Sequence, residues 1–422
     1  MGVGAFARAH IGVYADDLLT GGYPATIAGV SLRDPGTEQD LGPQDCLYTV
    51  SEREPETGTE GLQTRPRVIG AFTSMATGPD AAVDAILRAA ATAQTSIAQN
   101  SIAHAPTTQA RPSTTGDTSV NTSGDTATRE TSALVTLTVT EKGYEIPGGD
   151  MASPHAARSA PGVIARALAL CRENDLRPPV IASLDNVMNN GNVLRDAVMS
   201  VAEPLDPALP QWINENVVFP NSVVDRMVPA TTDSDRDAIA SAIGARDEGA
   251  VVAEHHRSWA IQMTDGLPPF DLVGAEFVRD VADHQRRKLW LLNAPHSAVA
   301  YCGLLIGSEF IADAIEVPLV RRFTEALIED ILEVADLPAE LDAAGFAAES
   351  VARFANPWLG HRCVQVAADG SRKLAQRIHP VAQVRLARGL AVDRLAMVTA
   401  LWLAAVSGLP LPSPSTRSGH TA

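Results

Sequence analysis

Two hydrophobic periods divide the chain. Short apolar runs bounded by Gly, Pro and Asp occur in "TIAGVSLRDP", "CLYTVSER", "RVIGAF", "LVTLTVTEKGY" and "RPPVIASLDN", and they read as strands. Between them, "DAAVDAILRAAATA" and "SAPGVIARALALCREN" repeat apolar positions at helical spacing. Strands alternating with helices predict a doubly wound parallel sheet over residues 1–250. After about Ala250 the strand signals stop. "GAEFVRDVADHQRRKLWLLN", "SEFIADAIEVPLVRRFTEALIEDILEVA", "LDAAGFAAESVARFAN" and "PVAQVRLARGLAVDRLAMVTALWLAAVSG" are long and either amphipathic or wholly apolar, so residues 251–410 are expected to be all-α.

Composition refines this picture. Residues 94–130 turn to Ser, Thr, Ala, Gln and Asn, with too little apolar content to fold; they read as a disordered surface insertion, and 411–422 as a flexible tail. A chain of 422 residues exceeds what one core organises, which agrees with two domains. The net charge of -17 argues against a nucleic-acid partner and serves solubility. Cys46, Cys171, Cys302 and Cys363 are scattered, so neither a disulfide framework nor a zinc cage is expected. The adjacent histidines of "EHHR" point in different directions on any regular element, and no metal is expected there. "LAMVTALWLAAVSGLP" falls short of the roughly 20 residues that cross a bilayer and reads as a core helix. With no signal peptide read at the start, no membrane partner and a cytoplasmic location are expected.

Candidate chemistry begins at the amino terminus. In "MGVGAFARAH", Gly2 and Gly4 followed by a helical run, starting at Ala5 and Phe6, look like the turn of a dinucleotide-binding βαβ unit, where glycines let the backbone approach a pyrophosphate. Asp34 closes the next strand segment, at the separation where an acidic residue binds the adenosine ribose. It favours NAD over NADP, because a carboxylate repels a 2′-phosphate, although neighbouring Arg33 works the other way. Further along, "KLWLLNAPHSAVAY" sets Lys288, Asn293 and His296 into an apolar run. Buried polar groups are either satisfied structurally or line a cavity.

Several motifs occur in order: "GVGAFARAHIGVYADDLL", "TVTEKGY", "SLDNVMNNGN", "VVFPNSVVDRMVP", "KLWLLNAPHSAVAYCG" and "RFANPWLGHRCVQVAADGSRKLAQR". With them the chain resembles the polyol-specific long-chain dehydrogenases, which include mannitol 2-dehydrogenase and the mannonate (fructuronate) and altronate oxidoreductases. The resemblance covers nearly all of the chain apart from the insertion and tail. It implies a Rossmann-type domain followed by a helical domain, with hydride exchange between a nicotinamide and a secondary alcohol in the cleft between them.

In that family a K-x4-N-x2-H pattern carries the chemistry, which falls here on Lys288, Asn293 and His296. A neutral amine can take the hydroxyl proton if its pKa drops from about 10.4 toward operating pH. Desolvation by Leu289 and Trp290, the neighbouring Arg286 and Arg287, and the nicotinamide ring all push in that direction. The amides of Asn186 and Asn293 can donate to the developing alkoxide, and His296 can orient a substrate hydroxyl. Asp225 and Arg226 read as an ion pair supporting the domain junction, with Asp225 also a candidate substrate contact. Arg362, Lys373 and Arg377 offer cations for a sugar-acid carboxylate. The Q-x-A-x-DGS-x-K arrangement ending at Lys373 resembles the hexuronate oxidoreductases, with D-mannonate/D-fructuronate the preferred pair and D-mannitol/D-fructose the alternative.

Three departures stand out. The strand that should precede "GVGAF" is missing, so the expected first strand of the sheet has no source, and an upstream extension of the chain is expected. Gln285 stands where relatives often carry a glutamate that relays protons. Pro295 intrudes between Asn293 and His296 and disfavours a smooth helix there. An active NAD-dependent oxidoreductase and a catalytically impaired, N-terminally truncated relative are therefore the two readings.

Overall fold

The structure, a computed structural model, describes residues 1–55, 62–103 and 133–408. Among the described residues are ten strands: β1 Ile27–Ser31, β2 Tyr48–Pro55, β3 Leu62–Ile69, β4 Phe72–Thr77, β5 Leu134–Leu137, β6 Val180–Ser183, β7 Ser222–Asp225, β8 Val251–Glu254, β9 Ser258–Gln262 and β10 Glu276–Val278. β1 pairs in parallel with β4, and β5 with β6. Residues 1–2 stand between these two pairs. Gly2 N donates to Val30 O of β1 (2.9 Å), and Thr138 N, just past β5, donates to Met1 O (2.9 Å). β7 adjoins β6 through Ile181 N to Val218 O (3.0 Å) and Ser222 Oγ to Ser183 O (2.5 Å). The resulting order, β4-β1-(1–2)-β5-β6-β7, is that of a doubly wound dinucleotide-binding sheet with two residues in the central place.

Burial explains the strands. All four residues of β6 and of β8 are buried, as expected of parallel strands covered on both faces. One face packs the helix Ile11–Thr20 with Tyr14, Tyr48 and Trp259. The other packs Val163, Ile164 and Leu168 of the helix Ala160–Glu173 against Leu194 and Val198 of Asn190–Leu205. Fully burying each such aliphatic side chain contributes about 1.5–3 kcal/mol. Ser159 starts the first of these helices by accepting from Gly162 N (3.2 Å), with Pro161 in its first turn.

Two expectations change. Strands do not stop near Ala250: β8, β9 and β10 follow it, and the helical part begins at Ala282. β9 and β10 are short, and Trp259, Ala260 and Ile261 give no clean alternation because all three are buried. The expected disorder of residues 94–130 starts too early, since the helix Pro79–Ala103 runs through its beginning; residues 104–132 and the tail 411–422 lie outside the described residues.

In the second half, Ala282–Ile306 forms one 25-residue helical rod, long enough and over an 18-residue window apolar enough to cross a bilayer, yet that window is mostly buried within the protein. Leu291, Ala294, Ala298 and Tyr301 pack toward Leu327, Ile331 and Leu374, while Val299 and Ala300 pack toward Ile311, Ile315 and Phe354. A core helix buried on most sides needs no polar stripe, which accounts for the long apolar run after Arg287.

Candidate active site

The rod is not uniform. Lys288–Asn293 is a π-helical turn set between the α-helices Ala282–Arg287 and Ala294–Ile306. Pro295 explains its position. A proline ring clashes with the carbonyl four residues earlier, here Leu291, and supplies no N–H to it. Widening the preceding turn removes both conflicts, and single π-turns of this kind recur at functional sites. The expected break at Pro295 is thus a wide turn within a continuous rod, and Lys288 and Asn293 occupy its two ends.

Lys288 reaches out of the helical part to the carboxyl ends of the strands. Its Nζ donates to Asn186 Oδ1 (2.9 Å) and to the Val224 carbonyl of β7 (2.6 Å). Burial lowers its pKa to about 8; Asp225 opposes the shift, and Arg377 and Arg353 reinforce it. Arg286 and Arg287, expected to depress it, turn away: the first donates to the Ala335 and Asp336 carbonyls and the second to Leu341 O. With Asn186 accepting from the lysine, its amide N–H₂ is the end left to face a ligand.

A narrow, open crevice lies beside the lysine, lined by Asp185, Asn186, Ser222, Val224, Gln285 and Lys288 among others. A second depression lies at the amino end of β6, around Arg177, Pro178 and Val180, and holds none of the candidate groups. Ligands of doubly wound sheets bind at the carboxyl ends of the strands, which selects the crevice at Lys288.

Asn293 is buried. Its backbone carbonyl accepts from Ser297 Oγ (2.9 Å) and Arg377 Nη1 (3.4 Å), while its Nδ2 meets no protein acceptor. His296 stacks on Phe354 (4.8 Å between centroids) and on His361 (5.5 Å), and its Nε2 is likewise buried without a partner. Burial, then His361, Arg377, Arg353 and Lys373, hold its pKa far below the usual range, so it is neutral at physiological pH. Two buried polar groups with no protein partner, the Asn293 amide N–H₂ and a neutral imidazole nitrogen, set one turn apart on the same rod, suit an oxygen-rich ligand.

The glycine turn lies on the same side of the sheet. Gly2 takes φ +79°, and a Cβ there would sit 2.3 Å from Thr138 O; Thr138 Oγ1 donates back to Gly2 O (2.5 Å). Space around Gly4 is open, and Ala5 and Phe6 begin the helix Ala5–Ala9. The segment after Thr138 is tied to the crevice, because Asp185 accepts from Val139 N (3.2 Å) and Thr140 N (2.9 Å). Asp34 is exposed three residues beyond β1, with one oxygen accepting from Gly36 N (2.9 Å).

Other candidates lie elsewhere. Asp225 and Arg226 do not pair with each other. Asp225 gives both oxygens to Arg353 (2.8 and 3.0 Å). Arg226 bonds Glu52 (2.6 Å) and the carbonyls of Ala9 and Glu254. Arg362 is exposed, paired with Glu309 (2.9 Å) over the ring of Phe310; its neighbour His361 is the one that reaches His296. Lys373 donates to Val366 O (3.0 Å). In "EHHR", Glu254 bonds Arg353, His255 lies 2.8 Å from Glu52, and His256 lies 2.9 Å from Glu349. Arg353, His361 and Ser297 were not read from the sequence. The one available signal was a cation near the end of the amphipathic "LDAAGFAAESVARFAN".

Gln285 lines the crevice, its Oε1 accepting from Asn189 N (3.4 Å) and its buried Nε2 unpartnered. An amide cannot relay a proton from Lys288. Gln285→Glu is expected to raise the rate of proton release several-fold. The check is transient kinetics with a pH indicator, in which an unchanged proton-release rate excludes a relay at this position.

The family model for the mannitol dehydrogenase Rossmann domain matches residues 1–268, and the model for the mannitol dehydrogenase C-terminal domain matches 280–409. The chain belongs to the mannitol dehydrogenase family. It is an oxidoreductase acting on CH–OH donors, like that family's members. Relatives include D-mannonate oxidoreductase of Escherichia coli (strain K12), 34% identical over 430 residues that cover 97% of this chain and 79% of that protein. Mannitol 2-dehydrogenase of Aspergillus terreus is 31% identical over 437 residues, covering 97% and 78%. Among solved structures, the ternary complex of Pseudomonas fluorescens mannitol 2-dehydrogenase with NAD and D-mannitol aligns with a TM-score of 0.79 and 27% identity, over 97% of this chain and 79% of that one.

Proposed function

We propose that this mannitol dehydrogenase family member interconverts a sugar acid and its keto form with NAD, with D-mannonate and D-fructuronate as the preferred pair. The observation that carries the chemistry is the Lys288 ammonium seated between Asn186 Oδ1 and the Val224 carbonyl, beside an open crevice at the strand ends. The glycine turn fits a dinucleotide: Gly2 admits no Cβ, Gly4 leaves room for a pyrophosphate at the Ala5 and Phe6 backbone, and Asp34 keeps an oxygen for a ribose hydroxyl. Bound NAD supplies the hydride acceptor.

The side chains do the rest. Neutral Lys288 takes the hydroxyl proton as hydride leaves the carbon, and the ammonium returns it when a ketone is reduced. Asn186 and Asn293 donate amide N–H groups to the oxygen as charge develops on it. His296, held neutral, bonds a neighbouring hydroxyl. No step requires a metal, and a cytoplasmic location is supported by the four buried, unpaired thiols.

The sugar-acid choice is supported by the positive surroundings of His296, where Arg377, Arg353 and Lys373 all contribute, and by the likeness to D-mannonate oxidoreductase. Lys373→Met is expected to lower kcat/KM for D-fructuronate about tenfold and to leave D-fructose nearly unchanged. Oxidation of NADH followed at 340 nm with both ketoses is the measurement; equal losses on the two would reject a carboxylate contact. Preference for D-fructose in the unaltered protein would instead make it a mannitol 2-dehydrogenase.

A further inference from the structure

One guanidinium closes the junction behind Lys288. Arg353, near the end of the helix Ala343–Phe354, is only 8% exposed. It donates to both oxygens of Asp225 (2.8 and 3.0 Å) and to both of Glu254 (2.9 and 2.6 Å). Asp225 ends β7, directly after Val224, whose carbonyl holds the lysine. Glu254 ends β8, and its Oε1 also accepts from Met227 N (2.6 Å). A single side chain from the helical part therefore pins two strand ends and, through Asp225, the carbonyl on which the base rests.

We propose that Arg353 is a positioning residue for Lys288: it clamps Asp225 in a bidentate pair, which fixes the Val224 carbonyl and keeps that carboxylate from serving as counter-ion to the ammonium. The proposal rests on the reading of Lys288 as the acid–base group. The balance of charge supports it. Asp225 alone raises the lysine's pKa, whereas Arg353 and Arg377 lower it. The other groups around the clamp are Arg226 with Glu52 beside Glu254, His256 between Asp225 (3.6 Å) and Glu349 (2.9 Å), and His361, which feels Arg353. Of these, Asp225 is the carboxylate adjoining the Val224 carbonyl.

The test is the pH dependence of kcat/KM for alcohol oxidation, together with the reactivity of the Lys288 amine toward reductive methylation, mapped by mass spectrometry. Arg353→Met should move both midpoints up by about one pH unit, because Asp225 is left unopposed. Asp225→Asn should move them down, and the double variant should return close to the unaltered protein. Arg353→Lys keeps the charge without the fork; it should hold the midpoint and lower kcat about tenfold. If Arg353→Met does not fold, Asp225→Asn and the double variant decide the matter, since the double leaves fewer unpaired buried charges. Loss of thermal stability with midpoints unmoved throughout would reduce Arg353 to a structural tie and overturn the proposal. Lys288→Ala separates the two readings: a basic limb surviving that change defeats Lys288 as the base, whatever Arg353 does.

Discussion

Lys288→Ala is expected to lower kcat for alcohol oxidation by at least about 100-fold, the usual scale for a positioned acid–base group, or about 2.7 kcal/mol of barrier. The amine is the one group at the crevice that combines a pKa near 8 with fixed acceptors, Asn186 Oδ1 and the Val224 carbonyl. The sign of the pH dependence follows. Oxidation needs the neutral amine, so its kcat/KM should rise with pH and level off above about 8; ketone reduction needs the ammonium and should fall through the same range. Affinity for NADH, read by fluorescence titration, should change little, because the lysine stands at the ends of β6 and β7 and not at the glycine turn. A variant that keeps its rate and its pH limb would show that the proton leaves by another group.

The second large effect is expected at Asn293. Its Nδ2 is buried with no protein acceptor, so it is poised to donate to an oxygen that becomes anionic in the transition state. Asn293→Leu keeps the volume and the backbone carbonyl that Ser297 and Arg377 hold. Removing one such donor typically costs about 10²–10³ in kcat. KM should move far less, since the interaction strengthens as charge develops. Steady-state kinetics decides it: a rise in KM with kcat intact would make Asn293 a ground-state contact only.

Both residues were legible in the sequence because polar groups inside an unbroken apolar run must answer for their burial. The strand–helix alternation over most of the first part was legible from equally local patterns, whereas Asn186, which follows β6, was named only through the family resemblance. The cations were less so. Arg362 and Lys373 carry the same formal charge in one short segment, yet Arg362 turns outward to Glu309 while the charge of Lys373 reaches His296. Side-chain direction on short, irregular helices such as Cys363–Ala367 and Gly370–Arg377 is set by packing, which no periodicity encodes.

The sequence alone determined the period of most elements, the glycine turn, and the polar interruptions at Lys288, Asn293 and His296. These are properties of a residue and its near neighbours. Only the tertiary structure decided that Pro295 is absorbed by a π-turn, that strands continue to Val278, and that Arg353, 65 residues beyond Lys288, clamps the carboxylate beside the lysine's carbonyl. Those contacts join segments far apart in the chain, and the free energy of burying a charge depends on which partner arrives from the other domain.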